Sequence, residues 1–398
     1  MRLHHAERRG RARRRRLLAA VLVAVVAVLA GVAVARALGG GKDAAAGPTT
    51  GLTGPASHTG PAASSGGSSP ETNGGGSTAE TPPTHITISA VGDTMLGSAG
   101  SLAPDPSTYF DAMRPAIAAD AAFANLEGTL TDQASGKCAT LTSACYEFRV
   151  PPSWGRYFKH AGFTVMGNEN NHAFDFWQAG LDDTVHALDR AGLAHTGRTN
   201  EITYLDVKGV RTAWLGFGPY PNNGPLNDFT KARTMIRTAA ANADVVIVAI
   251  HAGAEGESAQ HLTGQDEIYY GENRGNPEAF ARMAVDAGAD LILGSGPHVL
   301  RGMEFRKGRL IAYSLGDFAG YHNFTTGGAL GVSAVLRVTL DEHGRFISGR
   351  IVPVRLVGAG QPEPDSAGTA IGLIRQLSQG DLGSHAARIS PAGRIQAP

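Results

Sequence analysis

Five times along the chain a short apolar run ends abruptly in an acid, an amide or an imidazole. The clearest case is Ala243-Asp244-Val245-Val246-Ile247-Val248-Ala249-Ile250-His251, which reads as a strand buried on both faces. Ile86, Ile88 and Ala90 alternate ahead of Asp93, and Ala121 to Leu126 run into Glu127. Phe163 to Met166 lead into Asn170-Asn171-His172, and Leu291 to Gly294 into Ser295-Gly296-Pro297-His298. Helical patterns lie between the runs, at 109–117, 154–161, 178–190, 229–241 and 278–287. Strands alternating with helices predict an α/β fold, and such sheets collect functional groups where their strands end.

Read alone, each terminal residue has an ordinary alternative. Asp93 can be a turn residue after Gly92, Glu127 a solvated acid, Asn171 part of a capped polar loop, and either histidine a hydrogen-bonded one. Read together, Asp93, Glu127, Asn171, His251 and His298 form a mixed oxygen and nitrogen set suited to zinc, manganese or iron. One or two such divalent ions would acidify water and polarise a phosphoryl oxygen, which is hydrolytic chemistry. His172 is placed to transfer a proton. Leu310 to Phe318 add a further strand with an acid, Asp317, at its end. The strands at 202–207 and 211–217 read as a hairpin across Lys208-Gly209, and 330–340 with 345–357 as an antiparallel pair.

The first 84 residues belong to another class. Eight arginines against one acid, Glu7, occupy the first sixteen positions, and Leu17 to Ala35 carry no charge. That length spans a bilayer core, with the arginines on the cytoplasmic side. A cleaved secretory signal is the competing reading, but the apolar run exceeds a usual signal core, so the expectation is an uncleaved anchor over 17–37. Residues 38–84 are Gly, Ser, Thr, Pro and Ala, which cannot offset ordering entropy by burial, so a disordered tether is expected. Either reading puts the remainder outside the cytoplasm. Cys138 and Cys145, close together in an excursion after Glu127, are therefore expected to pair. Lys+Arg and Asp+Glu are both 35, so nothing in the charge points to nucleic acid. The long polar stretch 252–277 is expected to wall a site, and 358–398 to form a partly disordered extension with a last short helix at 370–377.

Gly92-Asp93-Thr94-Met95-Leu96, Asn125-Leu126-Glu127, Asn170-Asn171-His172-Ala173-Phe174-Asp175, Pro297-His298-Val299 and Tyr313-Ser314-Leu315-Gly316-Asp317-Phe318 together resemble the CapA family of poly-γ-glutamate capsule biosynthesis proteins. That family is a branch of the calcineurin-like metallophosphoesterases. The resemblance runs from about Ile86 to Val357 and implies a four-layer sandwich of two mixed sheets flanked by helices, behind an N-terminal transmembrane helix. It implies metal-binding roles for Asp93, Glu127, Asn171, His251 and His298, with His172 as proton donor and Asp175 orienting it. It further implies work on an anionic polymer, beside a polymer synthase at the outer membrane face. The alternatives are a phosphoesterase outside the cytoplasm and a non-catalytic wall-binding module. Three positions depart from the usual pattern: Met95 replaces a ligand histidine of the wider superfamily, Gly296 the first histidine of His-Pro-His, and Asp317 an asparagine.

Overall fold

The computed structural model describes residues 84–98, 100–138 and 145–398. The basic segment, the expected anchor and nearly all of the tether lie outside those residues. No helix among the described residues is long and apolar enough to cross a membrane.

Six strands position everything that follows: β1 (His85–Met95), β2 (Ala121–Leu126), β3 (Val165–Gly167), β4 (Val245–His251), β5 (Leu291–Ser295) and β6 (Asp317–Gly320). β1, β2 and β3 lie side by side and parallel in a ten-stranded sheet, and β6 pairs with the far end of β1, also parallel. The long antiparallel strands Val332–Asp341 and Phe346–Val357 extend that sheet on the other side of β1. β4 and β5 are parallel neighbours at the centre of a seven-stranded sheet, which also contains the hairpin across Lys208-Gly209. Both sheets are therefore mixed.

Period-two burial explains why the sheets stack. Ile86, Ile88 and Ala90 of β1, Phe123 of β2 and Val165 of β3 share one core with Trp214, Ile247, Ala249, Leu291 and Leu293 of the other sheet. Phe123 and Trp214 stack across the interface with ring centroids 6.1 Å apart. Each fully buried side chain of this size contributes roughly 1.5–3 kcal/mol. The opposite face of β4, formed by Val246, Val248 and Ile250, packs under the helices Phe229–Ala240 and Pro277–Ala287. That second burial is why β4 is apolar without a break. Each helix begins where a side chain satisfies its first amides: Asp228 accepts from Lys231, and Asn276 accepts from Ala279 just ahead of Pro277. The outer face of the ten-stranded sheet is covered in turn by the segments carrying Phe110, Ile117, Phe158 and Leu188. The layers run helix, sheet, sheet, helix.

Two segments differ from the sequence reading. Residues 109–117 are not one helix; Pro115 lacks an amide to donate, and the chain makes a 3₁₀ turn (Asp111–Met113) and one α-turn (Arg114–Ile117). The stretch after Gly358 carries more structure than the short helix expected at 370–377. The helix Thr369–Leu382 buries Ile371 and Ile374 in the inter-sheet core, and two short strands add Ile389 and Ile395 to it. The stretch 252–277 does wall a site, but it is pinned from below. Arg301, fully buried, donates to both carboxylate oxygens of Glu267 at 3.0 and 2.7 Å and to the Ala259 carbonyl at 2.8 Å. Cys138 and Cys145 are disulfide-bonded, as expected.

Candidate metal centre

Register brings the strand ends together. Asp93 of β1 stands level with Asn125 of β2 on one side and Asp317 of β6 on the other. The approach of β1 to the turn before β6 requires Gly92, because a Cβ there would lie 1.9 Å from the Gly316 carbonyl oxygen. In the facing sheet His251 pairs with Ser295, so the turn to His298 leaves from the same edge.

The result is a tight group. Asp93, Glu127, His298 and Asp317 each offer one ligand atom, and the four atoms all lie within 4.8 Å of one another. His298 Nδ1 is 2.7 Å from Asp317 Oδ1 and 3.2 Å from Asp93 Oδ2. His251 Nδ1 is 3.8 Å from Asp93 Oδ1, and its Nε2 is 4.0 Å from Glu127 Oε1. Asp93 also accepts from Asn125 Nδ2 at 2.6 Å. Asn170 donates onward to Asn125 Oδ1 at 2.9 Å and to the Leu126 carbonyl at 2.8 Å. That amide chain ties the Asn170-Asn171-His172 loop to Asp93.

Four of the five expected ligands thus meet directly; Asn171 is not among them, though its neighbour Asn170 is tied to Asp93 through Asn125. Asp317, expected to add charge, joins the group itself. Gly296 now has a physical reason. Its φ is +109°, and a Cβ would come within 3.0 Å of the Ala252 amide and 3.1 Å of the His251 ring. A histidine in that backbone conformation would be strained and would crowd His251.

Electrostatics and unpaired atoms test whether a cation fits. Burial opposes ionisation of Asp93, but the hydrogen bond and charge of His298, with His251, hold it below its ordinary value. Burial, then the charge of Asp93, drives Glu127 well above the ordinary range. Burial likewise pushes Asp317 up to about 7 against the pull of His298. Burial lowers His251 to about 3, whereas His298 is raised well above its usual value because Glu127 and Asp317 outweigh its burial. Both Glu127 oxygens, Asn171 Oδ1 and His251 Nε2 are buried without a hydrogen-bond partner. Leaving such atoms unpaired costs about 1–3 kcal/mol each, more when charged. A divalent cation satisfies that set, so the residues fit one.

His172 belongs to a second, adjoining cluster. Its Nδ1 lies 2.8 Å from Asp175 Oδ2, which also accepts from the Phe148 amide at 2.6 Å. Lys137 holds the other Asp175 oxygen at 2.7 Å, and the Phe148 ring lies 4.1 Å from the imidazole. Burial, opposed by Asp175, lowers the His172 pKa.

Sequence reasoning missed two acids here. Glu255, on the 252–277 wall, puts Oε2 at 3.7 Å from His298 Nε2. Glu169 is fully buried, with both oxygens unpaired, and burial raises it to about 8. Space for its carboxyl exists because Gly167, Gly197 and Gly216 carry no Cβ; one added at any of them would come within 2.6 Å of a Glu169 oxygen. No periodicity marks either residue, since both follow the end of a strand on irregular backbone. A cavity of about 980 Å³, lined by Phe174, Gln178, Arg198 and Glu201 among others, opens to one side and includes none of the clustered ligands.

Comparison with known proteins follows the same stretch of chain. The family described as bacterial capsule synthesis protein PGA_cap matches residues 87–321. The capsule biosynthesis protein CapA of Bacillus anthracis is 32% identical over 245 residues, covering 56% of this chain and 54% of that protein. The PGA biosynthesis protein CapA of Bacillus subtilis is 29% identical over 257 residues, covering 58% and 63%. The chain therefore spans between half and two thirds of the length of these relatives. Among solved structures, a 5'-nucleotidase precursor from Thermus thermophilus aligns over 76% of this chain and 60% of its own at 14% identity, with a TM-score of 0.36, too distant to bear on fold or function.

Proposed function

The chain belongs to the bacterial capsule synthesis family PGA_cap, and from that premise we propose that it serves the synthesis or export of poly-γ-glutamate or a related anionic surface polymer. The apolar run Leu17 to Ala35, behind its arginines, supports attachment to the membrane with the folded part outside. The two-sheet layout with ligands at the strand ends supports a metallophosphoesterase-like sandwich. A polymer synthase is the expected partner at the membrane.

The observation that carries a chemical role is the unpaired Glu127 and His251 atoms at the four-residue group, with Asn171 Oδ1 on the neighbouring loop unpaired as well. Asp93, Glu127, Asn171, His251 and His298 would hold one or two divalent ions, with Asp317 within bonding reach of the same point. Such an ion acidifies water and polarises a phosphoryl oxygen. The protein's own contribution is orientation and proton transfer. Asp175 accepts from Nδ1 of His172, which fixes the tautomer and leaves Nε2 to exchange a proton with a leaving oxygen. Lys137 and the Phe148 amide hold Asp175, and the Phe148 ring limits the tilt of the imidazole. This second reading, hydrolysis of a phosphoester, rests on that proton-transfer cluster standing beside the ligands.

Elemental analysis joined to one substitution tests both readings. The purified chain is expected to carry stoichiometric transition metal and to turn over a chromogenic phosphodiester. His172→Ala should keep the metal and lose turnover by roughly 10²–10⁴-fold. In cells lacking the protein, restoration of surface polymer by the His172→Ala form would place the polymer role outside catalysis. A metal-free protein with no turnover would end the hydrolase reading.

A further inference from the structure

Arg274 is a cation at the edge of the ligand group that no chemistry described so far uses. It sits on the 252–277 wall and is buried, with a relative exposure of 7%. Its place is set by backbone: its amide donates to the Glu267 carbonyl at 2.8 Å, and its carbonyl accepts from Gly253, two residues after His251, at 2.9 Å. Glu267 is the acid clamped by Arg301, so the buried pair beneath the wall also fixes where Arg274 stands.

Its guanidinium is held from several sides. The carbon at its centre lies 5.4 Å from the Tyr220 ring and 5.5 Å from the Tyr269 ring. Nη1 donates to the Tyr220 hydroxyl and, at 2.9 Å, to Glu255 Oε1. Nε lies 3.0 Å from the exposed Glu272 carboxylate. The other oxygen of Glu255 is 3.7 Å from His298 Nε2, and the Tyr220 ring centroid is 6.3 Å from that of His251. A single carboxylate therefore bridges Arg274 and a residue of the ligand group. Glu255 occupies the place that an oxyanion would take between those two donors.

We propose that Arg274 is the anion-binding residue of this site: it receives a phosphoryl or carboxylate oxygen of the substrate, and Glu255 is the internal carboxylate which that oxyanion displaces. The proposal rests on reading the neighbouring group as a metal centre, although the contact itself is made by protein alone. Arginine suits the task because its planar fork binds two oxygens and stacks on aromatic faces, neither of which lysine does. Burial strengthens the contact, since little water competes for the guanidinium.

The test uses calorimetric titration of the 398-residue chain, with Mn²⁺ titrated first and then inorganic phosphate or a γ-linked tetraglutamate. Phosphate and tetraglutamate separate the two sources of oxyanion. In the wild type at least one of them is expected to bind. Arg274→Met should weaken that binding at least tenfold while Mn²⁺ affinity stays within twofold. Glu255→Gln, which removes the competing charge, should tighten it severalfold. If Arg274→Met fails to fold, judged by its melting curve, Arg274→Lys keeps charge without the fork, and a loss of at least threefold supports the assignment. Wild-type affinity in whichever Arg274 variant folds overturns it, as does absence of anion binding by the Mn²⁺-loaded wild type. If the wild type takes up no Mn²⁺ but binds an anion through Arg274, the metal reading falls and this inference stands.

Discussion

Glu267 and Glu127 are both buried glutamates on irregular backbone beside a strand end, and the protein treats them in opposite ways. Glu267 receives two donors from Arg301 and sits inside a complete ion pair beneath the wall. Glu127 accepts no hydrogen bond, and three neighbouring acids (Asp93, Asp317 and Glu255) push its pKa the same way that burial does, against the charge of His298 at 3.7 Å. A carboxylate that serves structure is paired by the chain. One that accepts no hydrogen bond among three other acids, with the imidazole nitrogens of His298 and His251 at 3.7 and 4.0 Å, is what a cation site needs. The contrast separates scaffold from site more sharply than burial does, because both residues are buried.

The comparison can be broken at its structural end first. Arg301→Met leaves Glu267 buried without its cation, for which the expected cost is about 3–5 kcal/mol. Denaturant unfolding measures this, and a loss below about 1 kcal/mol would show that Glu267 is not a closed pair. At the other end, saturating Mn²⁺ should stabilise the wild type by about 2.7 kcal/mol when present at about a hundred times its Kd. Glu127→Gln should remove most of that metal-dependent shift in melting temperature, and an undiminished shift would move the cation elsewhere.

The smallest effect concerns a third kind of acid, half-way between the two. Burial opposes ionisation of Glu201, yet hydrogen bonds from His195 and Arg198 prevail and hold it at about 2, below its ordinary 4.5. A depressed carboxyl stabilises the fold fully above its unfolded value and loses that contribution as pH falls from about 4.5 towards 2. The wild type should therefore exceed Glu201→Gln by on the order of 2 kcal/mol at about pH 6. That margin should shrink across the acid window. A margin independent of pH would mean that the stabilisation is not ionic.

Much of the centre was legible because each expected ligand closes an apolar run. A strand buried on both faces must stop being apolar where it leaves the core, so Asp93, Glu127, His251 and His298 are marked by local pattern alone. Asn171 is marked the same way, by the run that ends at Met166, but the four-residue group does not include it. Glu255, Arg274 and Glu169 escaped notice for the converse reason. They lie on irregular backbone, and their positions depend on Arg301 clamping Glu267 or on Gly197 and Gly216, from other segments, opening a space with the nearby Gly167. In the tail after Gly358 the helix is legible in Ala370 to Leu377, but the two short strands are not, because Ile389 and Ile395 gain a face only when those strands pair beside the long strand Phe346–Val357.

The sequence by itself determined which residues could be ligands and that the chain would form an α/β sandwich, because alternation and strand ends are written in the spacing of neighbouring side chains. Tertiary structure decided which acids are paired and which are left open. A charge balance is a property of groups that meet in space: Arg301 lies 34 positions from the glutamate it neutralises, and Asp317 lies 224 from the Asp93 it stands beside.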